Sequence, residues 1–278
     1  MNITNIDEFD IYFRGEKLYG NDFTQAQIDS WFCDEKEGYF ELTQSDDEKH
    51  SYGYHALNLR HGFSHLPTKI FEHVLGIGSA YGRELNPILR CTDRISILEP
   101  SDGFVSTEIE GIPVSYVKPV ATGCIPFESE SVDLLTCFGV LHHIPNVSTV
   151  IREFHRVLKP GGYALVREPI ISMGDWRLPR RGLTKRERGI PLPILRRFIQ
   201  QSGLVPIKES KCVFSLTSRL KFLTTGSVYN NRLIVALDAL TCSLPIWPKA
   251  YHASNFFQKF RAMSVFYVLS KPLPGASK

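Results

Sequence analysis

Val74-Leu75-Gly76-Ile77-Gly78-Ser79-Ala80-Tyr81-Gly82-Arg83-Glu84-Leu85, followed by Ile95-Ser96-Ile97-Leu98-Glu99-Pro100, decides the fold. An apolar run ends in a glycine turn. A helix-like segment from Arg83 to Leu89 follows, and a second apolar run ends in a carboxylate. Strand, glycine loop, helix, strand and acid in that order build a nucleotide or nucleoside site at the carboxyl ends of parallel strands. Glycine lets backbone approach a ligand with no Cβ in the way. A carboxylate can accept hydrogen bonds from both hydroxyls of a ribose. Glu99 stands about 20 residues beyond the loop, the usual distance for that acid.

The glycine spacing bears on the ligand. A dinucleotide fingerprint requires G-x-G-x-x-G. Gly76 and Gly78 begin it, but Tyr81 fills the third position and Gly82 comes one residue late. Two further blocks keep the same order: Ile125-Pro126-Phe127 through Val132-Asp133-Leu134-Leu135-Thr136-Cys137-Phe138-Gly139-Val140-Leu141-His142-His143-Ile144-Pro145-Asn146, and Val157-Leu158-Lys159-Pro160-Gly161-Gly162-Tyr163-Ala164-Leu165-Val166. Together the three blocks resemble the class I S-adenosylmethionine-dependent methyltransferases, in particular their small-molecule branch. The resemblance covers roughly Phe71 to Glu168 and is loose on either side.

Strands are expected at His73–Gly76, Ile95–Glu99, Val114–Lys118, Val132–Cys137 and Tyr163–Glu168, with a clear helix at Thr149–Leu158. Continuous apolar strands alternating with helices mean a parallel sheet covered on both faces. The expected fold is therefore α/β and Rossmann-like. It is doubly wound, with a mostly parallel seven-stranded sheet, an N-terminal helical lid over residues 1–68 and a methyltransferase domain over 69–278. Leu204–Glu209 reads as the sixth strand and Ser264–Leu269 as the antiparallel last one that the resemblance implies. Substrate-side insertions fall at about 171–200 and 218–262.

The resemblance implies S-adenosylmethionine as cofactor and S-adenosylhomocysteine as product. It places Gly76, Gly78, Ser79, Gly82, Glu99, Pro100, Thr122 and Phe138 around the cofactor, with Arg60 a candidate for its carboxylate. Two positions depart from the family pattern: Gly76 stands at a usual acid, and Ala121 stands near a usual aspartate. Methyl transfer needs positioning and a nucleophile without its proton. His142 and His143 follow the fourth strand, and an imidazole has a near-neutral pKa, so one of them is the expected base, with His143 preferred. Glu168 ends the fifth strand and is a third catalytic candidate. The stretch 175–197 carries eight basic residues against two acidic ones. Trp176, Arg180 and Arg181 within it are expected to hold an anionic acceptor.

Composition narrows the rest. The net charge of +3 excludes a strong polyanion binder, and no nucleic-acid module is visible. Six cysteines without C-x-x-C spacing point to reduced thiols and no metal site. The first seven residues lack the basic and apolar regions of a signal peptide, and no apolar run is long enough to span a bilayer, so a cytoplasmic protein is expected, with peripheral membrane contact allowed. The expected acceptor is a small molecule or glycan, polar and anionic or lipid-linked, methylated on a hydroxyl oxygen. The other classes in view are a non-catalytic scaffold of the same fold and a nicotinamide-dependent oxidoreductase.

Overall fold

A computed structural model describes residues 9–42 and 52–275. The acidic run Asp46-Asp47-Glu48 and the first seven residues lie outside the described residues. Among those described, eight strands form one sheet in the order β3-β4-β2-β1-β5-β6-β8-β7. The strands are β1 (Val74–Ile77), β2 (Ile95–Leu98), β3 (Glu108–Ile109), β4 (Ile112–Val117), β5 (Val132–Phe138), β6 (Leu158–Pro169), β7 (Val205–Phe214) and β8 (Ala262–Ser270). β4, β2, β1, β5 and β6 run parallel. β8 pairs antiparallel with both β6 and β7. The short β3, which closes a hairpin onto β4, is one strand more than expected.

β1 and β2 are buried at every position, and β5 is buried from Val132 to Cys137. That is why their sequences show no alternation. Their register aligns Ile77 with Leu98 and with Cys137. The loops that leave these three strands therefore meet at one edge of the sheet, the crevice where α/β proteins bind ligands. Asp133 within β5 is structural: it accepts the amide of His73 at 2.9 Å and pairs with Lys159 at 3.1 Å.

The helices are α1 (Asp10–Phe13), α2 (Gln25–Glu35), α3 (Gly38–Leu42), α4 (His55–His61), α5 (Val147–Val157), α6 (Leu192–Ser202) and α7 (Arg232–Ser243). α5 falls where the sequence placed it. The segment after the glycine loop is a 3-10 helix, Arg83–Cys91, with Pro87 inside it. Proline removes an amide donor and favours this tighter, shorter winding over an α-helix. The stretch 218–262, expected as an insertion, contains α7, whose Ile234, Val235 and Cys242 are buried, and 3-10 turns at Thr217–Leu223, Val228–Asn230 and Phe257–Lys259.

Candidate active site

The glycine loop turns through left-handed backbone at Gly78 (φ +57°), Ala80 (φ +46°) and Gly82 (φ +67°). A Cβ on Gly78 would stand 2.8 Å from the Val140 side chain, so only glycine lets the turn lie against the loop after β5. A Cβ on Gly76 would overlap the Ser79 hydroxyl. The loop folds back over Gly76, which explains why no acid stands there.

Glu99 is buried at the end of β2 and accepts the amides of Ala80 at 3.1 Å and Ser101 at 3.2 Å. Burial pushes its carboxyl up to about 7. Beside it opens a cleft of about 440 Å³. Gly78, Ser79, Glu99, Pro100 and Phe138 line it, with Leu98, Val120 and Ile125 as apolar wall. A carboxylate, uncovered loop backbone and an apolar wall fit a nucleoside such as that of S-adenosylmethionine. Ala121 also faces this cleft, so no carboxylate stands at that position.

Thr122 sits at the rim, where its hydroxyl accepts the Cys124 amide at 3.4 Å and its carbonyl accepts from Asn146 at 2.7 Å. Gly82 shapes the turn without lining the cleft. Arg60 is not in the cleft; it lines a separate groove between α4, β7 and α7. That corrects its expected role with the cofactor.

The two histidines have opposite environments. His142 is buried, with Nδ1 2.9 Å from Glu168 and Nε2 3.3 Å from Glu187. Burial alone would lower its pKa, but the two carboxylates outweigh this and raise it to about 9. Burial would likewise raise Glu187, yet its hydrogen bond with His142 and the charges of His143 and His142 draw it down to about 2. With both nitrogens donating, His142 is an imidazolium near neutral pH. His142, His143 and Glu187 bring ligand atoms within 4.8 Å of one another, and the two carboxylates favour the charged ring of His142. Glu168 is fully buried and accepts the amides of Val140 at 2.9 Å, Leu141 at 2.8 Å and His142 at 3.3 Å. It shapes the loop after β5, and neither it nor His142 lines the cleft, which places both away from the catalytic position expected of them.

His143 lines the cleft. Its Nδ1 lies 2.8 Å from the Glu35 carboxylate and 3.2 Å from the Thr184 hydroxyl. Burial favours a protonated Glu35, but hydrogen bonds from His143, Thr184 and the Arg186 amide hold it below its ordinary value. The Trp31 indole donates to the His143 carbonyl at 2.6 Å. A carboxylate that holds the Nδ1 proton leaves Nε2 as the basic atom. Glu35 and Trp31 stand one turn apart on α2, more than a hundred residues from His143, and no motif announces them.

The basic stretch is an internal tie. Arg188 is fully buried, and burial lowers its guanidinium to about 10. It donates to the carbonyls of Tyr19 at 3.0 Å, His142 at 2.9 Å and Ile144 at 2.8 Å. Lys185 and Arg186 pair with Asp34, and Arg177 pairs with Asp175. Trp176 is buried against Phe13 and Tyr19, with ring centroids 4.5 and 5.6 Å away. Arg180 donates to the carbonyls of Met173 and Thr184, each at 3.3 Å. Arg181 is exposed. None of Trp176, Arg180 and Arg181 lines the cleft. The expected clamp on an anionic acceptor gives way to a brace that pins the N-terminal helices to the loop after β5.

The His142 ion pairs give a pH signature. Because its folded pKa is raised, His142 adds stability that is fully present below its ordinary value near 6.5 and is lost as pH rises through about 9. The lowered Glu187 adds stability present above its ordinary value of 4.5 and lost as pH falls toward about 2. His142→Asn leaves buried carboxylates unpaired and is expected to cost about 3–5 kcal/mol near neutral pH. The gap to the native protein should close as pH passes about 9, read by urea unfolding at successive pH values. A gap that stays constant across that window would mean a neutral ring.

Comparison with known proteins places this geometry. Residues 75–166 match the methyltransferase domain family. The ubiquinone biosynthesis O-methyltransferase of Pseudomonas syringae pv. tomato is 40% identical over 52 residues, 19% of this chain and 22% of that one. Its counterpart from Proteus mirabilis is 32% identical over 53 residues, again 19% and 22%. The chain thus spans only about a fifth of the length of these curated relatives. Among solved structures, a putative methyltransferase in complex with the Haloferax volcanii Trm112 activator superposes with a TM-score of 0.55 at 15% identity, over 88% of this chain and 98% of that one. A SAM-dependent methyltransferase of Leishmania major gives 0.54 at 15% identity, over 86% and 83%. The fold is that of the class I S-adenosylmethionine-dependent methyltransferases, and residues 75–166 match the methyltransferase domain model.

Proposed function

We propose that this protein is an S-adenosylmethionine-dependent enzyme that methylates a hydroxyl oxygen on a small acceptor with an apolar body. The observation that carries this reading is the Glu35–His143 pair on the cleft wall, in the same cleft as the glycine loop and Glu99. Bound S-adenosylmethionine supplies the electrophilic methyl group and leaves as S-adenosylhomocysteine. Glu99 takes the ribose hydroxyls, and the backbone of Gly78 to Ala80 lies along the nucleoside. Nε2 of His143 takes the acceptor's hydroxyl proton as the oxygen is methylated. Glu35 steadies the imidazolium so formed. Trp31, Phe32 and Phe40 add aromatic surface to the cleft wall, Trp31 next to His143. An apolar wall and internally spent arginines favour an apolar acceptor over the anionic glycan expected from sequence. The name of the partly matching relatives, O-methyltransferases of ubiquinone biosynthesis, agrees with an oxygen acceptor.

Calorimetry with S-adenosylhomocysteine and with NAD tests the cofactor, and transfer of labelled methyl to a panel of phenols, sugars and amines tests the acceptor. We expect S-adenosylhomocysteine to bind, NAD not to bind, and phenols to be labelled. Binding of NAD alone, or labelling of amines alone, would overturn the reading.

A further inference from the structure

The inner face of α7 packs on β7, while its outer face is apolar and bare. Leu233, Leu237 and Leu240 are 78%, 60% and 63% exposed. Their spacing of four and three residues puts them on one stripe, with Leu244 continuing it just past the helix end. On a water-facing helix this is the wrong chemistry. Both flanking turns repeat it. Phe222 is 80% exposed in the turn before α7, and Phe257 is 77% exposed in the turn after it, beside Phe256 and Ile246. Both turns are anchored to the same helix. Thr217 donates to Asp238. The Trp247 indole donates to the Thr241 carbonyl at 2.6 Å, and Trp247 clusters with Cys242, Phe214 and Phe260. So large a set of exposed apolar groups marks a contact surface.

Charge says what covers it. Between Ser215 and Phe260 the exposed charged residues are Arg219, Lys221, Arg232, Lys249 and Lys259, all basic. The one acid of the segment, Asp238, is buried and accepts the amides of Val213 and Phe214 at 2.9 and 2.7 Å. None of the five cations forms an ion pair among the described residues. Alongside α7 runs the groove lined by Arg60, Lys208, Lys211 and Arg232, whose single carboxylate, Glu209, is held by Arg196 and the Tyr267 hydroxyl. Lysine is depleted at protein–protein interfaces. Phenylalanine and leucine rimmed by lysine and arginine are the composition of surfaces that rest in an anionic bilayer interface. No helix among the described residues is long and apolar enough to cross a membrane.

We propose that the 216–260 insertion docks the protein on an anionic phospholipid surface, with the outer face of α7 in the interface and lipid phosphates in the adjoining basic groove. The inference does not depend on the reaction catalysed. The test is flotation of the full chain with vesicles of phosphatidylcholine containing about three parts in ten phosphatidylglycerol, at about 0.1 M salt. The native protein should float with these vesicles, not with pure phosphatidylcholine, and should be released by about 0.5 M salt. Leu237→Glu with Leu240→Glu should weaken binding more than about tenfold. So should Arg219→Glu with Lys221→Glu, which touches no buried group and guards against a folding defect in the first variant. Circular dichroism and thermal unfolding of both variants should match the native protein. No flotation of the native protein, or equal flotation with neutral vesicles, would overturn the proposal. A concentration-dependent dimer that Leu237→Glu dissociates, without vesicle binding, would also overturn it and mark the face as a contact between copies.

Discussion

His143→Ala is expected to lower kcat by about 10²–10⁴-fold while the dissociation constant for S-adenosylhomocysteine stays within about twofold. The split follows from the geometry. His143 stands on the cleft wall, and its links run to Glu35, Thr184 and Trp31, not to the glycine loop. Glu35→Gln should show a smaller loss in kcat, because the amide can still accept the Nδ1 proton but cannot offset the imidazolium charge. Turnover unchanged in both variants across pH would remove the base from the mechanism and leave positioning alone.

Glu99→Ala is expected to weaken cofactor binding by about ten- to a hundred-fold, the loss of roughly 1.5–3 kcal/mol from a charge-assisted hydrogen bond. Burial holds this carboxyl near 7, far above its ordinary 4.5. Ribose hydroxyls are donors and favour the ionised form, so the cofactor must expel a proton from Glu99 when it binds at lower pH. The affinity of the native protein should therefore fall as pH drops through about 7, and the gap to Glu99→Ala should narrow there. Calorimetry at a series of pH values reads both effects. An affinity independent of pH and of the alanine change would take Glu99 out of the site.

That Gly78, Ser79, Glu99 and Pro100 come together in one cleft was legible because the feature is local. Gly78, Ser79, Glu99 and Pro100 lie within two consecutive strand ends, and glycine and carboxylate chemistry leaves a mark at short range. The positions of the parallel strands along the chain were legible for the same reason, since each strand is a mainly apolar run. The surroundings of His143 were not. Glu35, His143 and the stretch from Thr184 to Arg188 come from three separate segments, and Glu35, Thr184 and Arg188 look like ordinary polar residues until the chain closes. The run of arginines suggested an anion because sequence shows charge without partners. Folding supplied Asp34, Asp175 and a set of backbone carbonyls as those partners. In the sequence little separates His143 from His142. What separates them is which ring is enclosed by two acids, and Glu187 lies 45 positions away from His142.

β8 follows β7 in the chain yet lies between β6 and β7 in the sheet. A growing polypeptide therefore makes β7 before there is anything for it to pair with. Until residues 262–270 emerge from the ribosome, β6 presents a bare row of amides and carbonyls with Ala164, Leu165 and Val166 beside it. Such an edge invites pairing with another chain. Synthesis that pauses or stops within the insertion would yield a chain with a complete glycine loop but an open sheet. The interval spent making residues 215–261 is thus the protein's window of exposure to aggregation and to chaperones, and its length is set by the insertion.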